Sequence, residues 1–184
     1  MNKEDKELLL KDLCARLPYG VIVRHADCLV DSDGNYTGQF WYKRGYLYDI
    51  CRLDNMTTTI IESDGSDEEG YEHICDLERS LPYLRPMFSM TDEEINELKN
   101  LCSFYIPSDS KTIGFEDYGI LVVTHHITNN TYSFKLNVQV IDWLNAHHFD
   151  YRTIYDEDKK KYMSMIEKGL AIAVTKENNP YGNN

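Results

Sequence analysis

The sequence gathers imidazole, carboxylate and guanidinium groups most densely at His147, His148, Asp150, Tyr151 and Arg152. If a helix runs through Asp150, then His147 and Asp150 share a face at three-residue spacing. A carboxylate placed there can orient an imidazole or join it in holding a metal ion. The same residues equally suit the end of a helix, where imidazole and guanidinium groups meet the last carbonyls and the dipole while Phe149 plugs the core. His125 and His126 are neighbours on an expected strand, so they point to opposite faces and cannot both ligate one ion without distortion. Two of His125, His126, His147 and His148 converging with Asp150 would make a small metal-assisted hydrolytic site with an open coordination position.

Three further segments carry binding chemistry. Arg85 lies between Pro82 and Pro86, on backbone that proline keeps stiff. Its planar fork suits a carboxylate, either on a partner or on an internal acid that fixes how sheet meets helix. Phe40, Trp41, Tyr42, Tyr46 and Tyr48 form an aromatic ribbon that can stack on a base, a sugar or a peptide, with Lys43 and Arg44 as the cations nearest in sequence. Core packing with a tyrosine-rich surface is the plainer alternative. From Glu62 to Glu69 five of eight residues are acidic, a solvated loop or a mimic of a phosphate backbone that occupies the basic groove of a nucleic-acid enzyme. A phosphate-binding glycine loop, a nucleophile elbow, a dinucleotide fingerprint and a zinc-protease helix are all missing from the sequence. No catalytic residue and no cofactor is therefore assigned.

Composition narrows the class. The 184 residues are 42% hydrophobic and 27% charged, which rules out collagen-like, coiled-coil and wholly disordered chains. With 31 acidic against 19 basic residues the net charge is −12, which argues against direct binding to nucleic acid by phosphate neutralisation. The charged start, Met1 to Glu7, opens no signal peptide or membrane span, so a cytoplasmic setting is expected. Cysteines at 14, 28, 51, 75 and 102 show no CxxC spacing and read as small apolar residues facing a core. Fourteen tyrosines point to much β structure, because the ring packs on a pleated surface while the hydroxyl stays near water.

The elements expected to position these groups form an α+β chain. Residues 3–16 read as a helix with Leu9, Leu10, Leu13, Cys14 and Leu17 on one face, stopped by Pro18. Strands are expected over 19–30, 39–53, 57–62 and 73–77, with Asp31 to Asn35 as a turn, giving a small antiparallel sheet or barrel analogous to the Src-homology type. Thr91 and Glu94 form a capping box, with Met90 and Ile95 as staple, for a helix burying Ile95, Leu98, Cys102 and Tyr105. A β-hairpin follows, 120–127 with 132–140 about Thr128 to Thr131. Two C-terminal helices are expected, one placing Ile141, Leu144 and His148 on a face and one over 156–168 closed by Gly169, then a loose tail from Asn178. A single domain over 1–184 is expected, divisible as 1–88 and 89–184.

Three stretches together, LCARLPYGVIV at 13–23, LPYLRPMFSMTDEE at 81–94, and WLNAHHFDYR at 143–152 with IEKGLA at 166–171, resemble a family of small uncharacterised proteins of gut Bacteroidales, their phages and mobile elements. In that family the DYR unit runs almost directly into the glycine-containing segment, whereas here Thr153 to Met165 intervene. The resemblance implies a setting but transfers no catalytic residue. Together these features lead to the expectation of a non-enzymatic accessory protein that binds a macromolecule, with another protein as the expected partner. Arg85, Tyr46, Tyr48, His147, Asp150 and Arg152 are its binding candidates. A histidine-based metal hydrolase and an acidic decoy of a nucleic-acid-binding enzyme are the alternatives.

Overall fold

A computed structural model describes residues 1–51, 56–61, 71–102, 110–115, 120–125, 131–135 and 137–182. The chain is α+β and divides into two compact units: residues 1–83 with 170–172 and 176–184, and residues 84–169 with 173–175. Among the described residues no helix is long and apolar enough to cross a membrane.

The first unit begins with helix α1 (Lys3–Arg16), whose first turn is capped by the Asn2 side chain accepting from the Asp5 amide at 2.7 Å. Leu8, Leu9 and Leu13 are buried, but the inward stripe also takes Asp12 and Arg16. It is therefore rotated from the expected one, and Leu10, Cys14 and Leu17 are only half-buried. Burial of the two charged residues is possible because Arg16 Nε donates to Asp12 Oδ2 at 2.8 Å one turn away. After a 3-10 turn at Leu17–Tyr19, Gly20 takes φ +65° and releases the chain into the sheet.

The strands are β1 (Ile22–Val30), β2 (Tyr36–Cys51), β3 (Met56–Ile61), β4 (Tyr71–Asp76) and β5 (Ser80–Leu84), with β6 to β10 placed in the second unit below and a two-residue β11 (Ile172–Ala173). The six-stranded sheet runs β11-β5-β1-β2-β3-β4, and its β1–β2, β1–β5, β2–β3 and β3–β4 pairs are antiparallel. The stretch expected to hold several strands at 39–53 lies in one 16-residue strand, with a bulge between Leu47 and Asp49 against β3 and a register shift against β1 between Tyr36 and Phe40, where Gly38 takes φ +74°. Beyond Ala26 and Tyr42 the β1–β2 ribbon has no further strand pairing on either side among the described residues, so it extends as an arm. Its tip is the expected turn. Asp31 Oδ1 accepts from the Asp33 and Asn35 amides at 2.9 Å, and Gly34 takes φ +82°. The Asn35 and Asp33 amides hold the Asp31 carboxyl below its ordinary value.

A 3-10 turn at Leu77–Arg79 passes the chain from β4 directly to β5. The sheet also coils: His25 on β1 and His73 on β4 are separated by two strands in hydrogen-bonding order, yet their rings lie 4.5 Å apart. The C-terminal stretch, expected as a loose tail, is instead anchored. The Tyr181 hydroxyl donates to the Tyr83 carbonyl at 2.8 Å and accepts from the Ile22 amide at 3.3 Å, and burial pushes its phenol well above the ordinary value.

The second unit is built round helices α2 (Asp92–Leu101) and α3 (Val138–Ala146). The capping box is present: the Glu94 amide donates to Thr91 Oγ1 at 3.2 Å and Glu94 Oε2 accepts from the Thr91 amide at 2.8 Å. Leu98 and Cys102 join Val140, Leu144, Phe149 and Tyr151 in the core, and burial pushes the Cys102 thiol up to about 11. Of the expected stripe, Ile95 is half-buried and Tyr105 lies outside the described residues. The cysteines divide accordingly, with Cys75 and Cys102 buried, Cys14 and Cys28 half-buried and Cys51 exposed.

Strands β6 (Ser110–Phe115), β7 (Ile120–His125) and β8 (Thr131–Lys135) form a separate antiparallel sheet, so the β7–β8 hairpin is present. Its second strand does not reach Val140 as expected, because Asn137 caps α3 by accepting from the Val140 amide at 2.8 Å. The helix expected over 156–168 is also absent. In its place β9 (Thr153–Asp156) and β10 (Lys161–Ser164) form a hairpin. Asp156 accepts from the Lys159 amide, Lys160 takes φ +55°, and Tyr155 packs edge-on to Tyr162 across the strands at 5.3 Å. Met163 is buried while its neighbour Tyr162 is exposed, as successive side chains on opposite faces of a strand are.

Candidate functional site

The outer face of β2 carries the exposed aromatic chemistry. Tyr36, Phe40, Tyr42 and Tyr46 fall on alternate positions and are 80%, 45%, 58% and 42% exposed, and Tyr48, the extra residue at the bulge, is 59% exposed. The intervening Gly45 and Leu47 are buried. Pairing of β1 with β2 sets Arg24 directly opposite Arg44. The Arg24 guanidinium lies 4.9 Å over the Tyr42 ring, and that of Arg79 lies 5.5 Å over Phe40. Of the cations expected from sequence proximity, Arg44 shares this face and is joined by Arg24 and Arg79, brought in by register and by the turn before β5, whereas Lys43 pairs with buried His25 and sets its ammonium 6.0 Å over the Trp41 ring on the other face. A guanidinium stacked on a ring can still engage a carboxylate through its edge, and Arg79 does so internally, with Nε 3.5 Å from Asp76 Oδ2.

The other binding candidates have internal partners. Arg85 Nη1 and Nη2 meet Glu94 Oε1 and Oε2 at 2.6 and 2.8 Å, with the guanidinium 4.3 Å over Phe149. The Arg85 amide donates to the His148 carbonyl and its carbonyl accepts from the Asp150 amide, both at 2.8 Å. Although burial pushes the Glu94 carboxyl up, the Arg85 hydrogen bond and the Thr91 amide outweigh it and hold the group below its ordinary value.

His147 closes α3, stacks on Trp143 at 4.1 Å and places Nδ1 2.9 Å from the Trp143 carbonyl. The helix ends at Ala146 and His148 takes φ +56°, so His147 and Asp150 do not share a helical face, and the expected face through Ile141, Leu144 and His148 is cut short. Asp150 is buried and accepts from the Met165 and Ile166 amides at 3.2 and 3.0 Å. Arg152 lies over the Tyr151 ring at 4.9 Å. His125 ends β7, and His126 and the acidic 62–69 segment lie outside the described residues.

A cluster with no counterpart in the sequence reading lies inside the coiled sheet. His25, His73 and Cys75 offer ligand atoms that all lie within 4.8 Å of one another. His25 is 0% and Cys75 5% exposed, and His73 is half-buried. Ser80 Oγ lies 2.9 Å from Cys75 Sγ and 2.5 Å from Thr57 Oγ1, and Thr57 Oγ1 also donates to the Cys75 carbonyl at 3.3 Å. Trp41 packs on both imidazoles, with ring centres 5.3 Å from His25 and 5.2 Å from His73. Register explains the gathering, since Ser80 pairs with His25 and Thr57 pairs with Cys75. The sequence signal was the spacing of His73 and Cys75, two apart on a strand and hence on one face. Among the described residues this is the trio of His, Cys, Asp or Glu close enough to hold an ion; His147, His148 and Asp150 do not form one. The chain matches no protein-family model, no curated protein and no solved structure.

Proposed function

We propose that this chain is a non-enzymatic binding protein that receives an acidic, extended segment of another protein along the outer face of β2. The observation that carries this is the row of exposed aromatics flanked by Arg24, Arg44 and Arg79. Tyrosine and arginine dominate the energetic centres of protein interfaces, because rings bury large area at small entropic cost and the guanidinium pairs with carboxylates. This cationic face sits on a chain of net charge −12. The overall field repels a long polyanion such as nucleic acid, while a short acidic peptide can approach the local cations. The motif resemblance supports placing this activity in the cytosol of gut Bacteroidales, with their phages and mobile elements. We read the coiled sheet as a small barrel from which the β1–β2 arm projects.

Selection of a random-peptide display library on the immobilised full chain tests the reading, with Tyr42→Ser/Tyr46→Ser/Tyr48→Ser as the counter-target. Enrichment of Asp- and Glu-rich peptides on the wild type alone is expected. Peptides without acidic bias, or equal capture by the variant, would overturn it.

A further inference from the structure

The geometry points to a binding site for one zinc-like divalent cation at His25, His73 and Cys75, inside the coiled sheet and separate from the aromatic face. Two imidazoles and a thiolate form a donor set of borderline softness, which favours zinc over magnesium or calcium. Zinc bonds of about 2.0–2.3 Å in tetrahedral geometry set ligand atoms roughly 3.3–3.6 Å apart. The three atoms, all within 4.8 Å of one another, need to close by about 1.5 Å at most. Side-chain rotation supplies that without moving the paired strands.

The three ligands come from two strands whose positions the sheet fixes. His73 and Cys75 are two apart on β4, and His25 faces them from β1. Cys75 binds as thiolate, its proton passing to solvent, and Ser80 Oγ at 2.9 Å supplies the hydrogen bond that such a sulfur accepts. Thr57 holds Ser80 in turn, at 2.5 Å. Trp41 packs against both imidazoles. A trio leaves the fourth tetrahedral position to water or to an incoming ligand, the arrangement of zinc sites that exchange a ligand rather than of sites that only brace a fold.

Titration of the chelator-treated full chain with cobalt(II), a spectroscopic stand-in for zinc, tests the site. One equivalent per chain is expected, with tetrahedral d–d bands and a near-ultraviolet thiolate-to-cobalt charge-transfer band that zinc removes by competition. Cys75→Ser should abolish the charge-transfer band, whereas Cys51→Ser should leave it intact. Ser80→Ala, which removes the hydrogen bond to the Cys75 sulfur but none of the three ligands, should weaken binding about 10- to 100-fold. A wild-type spectrum without the thiolate band, or a band that survives Cys75→Ser, would overturn the assignment, and the wild-type result stands even if a variant fails to fold.

Discussion

Replacing Arg85 with lysine separates charge from geometry in the second unit. The guanidinium fills both Glu94 oxygens at 2.6 and 2.8 Å and lies 4.3 Å over Phe149. An ammonium keeps the charge but cannot make both bonds side by side or lie flat on the ring. Loss of one charge-assisted hydrogen bond costs about 1.5–3 kcal/mol, and the weaker ring contact adds about 0.5–1 kcal/mol. The pair reaches the surface, with side chains 25% and 16% exposed, so solvent screening brings the expected loss to about 2 kcal/mol.

The pH dependence has a definite sign. Glu94 has a folded carboxyl below its ordinary value, so its stabilisation is fully present above the unfolded value of about 4.3 and is lost as pH falls through the folded value. Arg85→Met leaves burial opposed chiefly by the Thr91 amide. Its deficit should therefore exceed that of Arg85→Lys at pH 7 and shrink towards pH 3 as the carboxyl protonates. Urea denaturation at both pH values, with unchanged slope, measures the difference. A lysine variant within about 0.5 kcal/mol of wild type at pH 7, or a methionine deficit equal at both pH values, would refute the assignment of this pair.

Other substitutions probe separate joints of the fold. Phe149→Ala, which empties a fully buried site between Trp143 and the Arg85 guanidinium, should cost about 3–5 kcal/mol in denaturant unfolding. Asp150→Asn keeps the shape but replaces a carboxylate that accepts two amide hydrogen bonds, so a loss of about 1–3 kcal/mol is expected by the same assay. Tyr181→Phe deletes the hydroxyl that joins Tyr83 and Ile22, and hydrogen exchange at the Ile22 amide should speed up about 5- to 10-fold for a loss near 1–1.5 kcal/mol. Tyr42→Ser, on an exposed face, should change stability by less than about 0.5 kcal/mol while weakening peptide binding at least 10-fold.

Local chemistry carried most of what the sequence revealed. Thr91 with Glu94, the Asp31 to Asn35 turn and the period-two strands are decided by residues within a few positions of one another, and all are present. The hairpin at 153–164 was hidden because Asp156 to Lys160 are all charged and Glu157, Lys159 and Lys160 are good helix formers, while the opposite burial of Tyr162 and Met163 is set by the fold. The anchored C-terminus depends on Tyr181 meeting Tyr83 across 98 positions, which no local pattern encodes. The same holds for the candidate sites. Tyr46 and Tyr48 were visible as an aromatic run, but Arg24 and Arg79 reach it only through strand register and a 3-10 turn. His25 joins His73 and Cys75 only because the sheet coils.

Site-specific photocrosslinking tests the binding face most directly. Benzoylphenylalanine in place of Tyr42 samples the proposed face, and the same group in place of Tyr155, also exposed but in the second unit, serves as control. In gut-bacterial cytosol, one protein adduct through an acidic segment is expected from position 42 and not from position 155. That adduct should disappear with Arg24→Glu/Arg44→Glu. No adduct at position 42, or the same adducts from both positions, would contradict the role assigned to the β2 face.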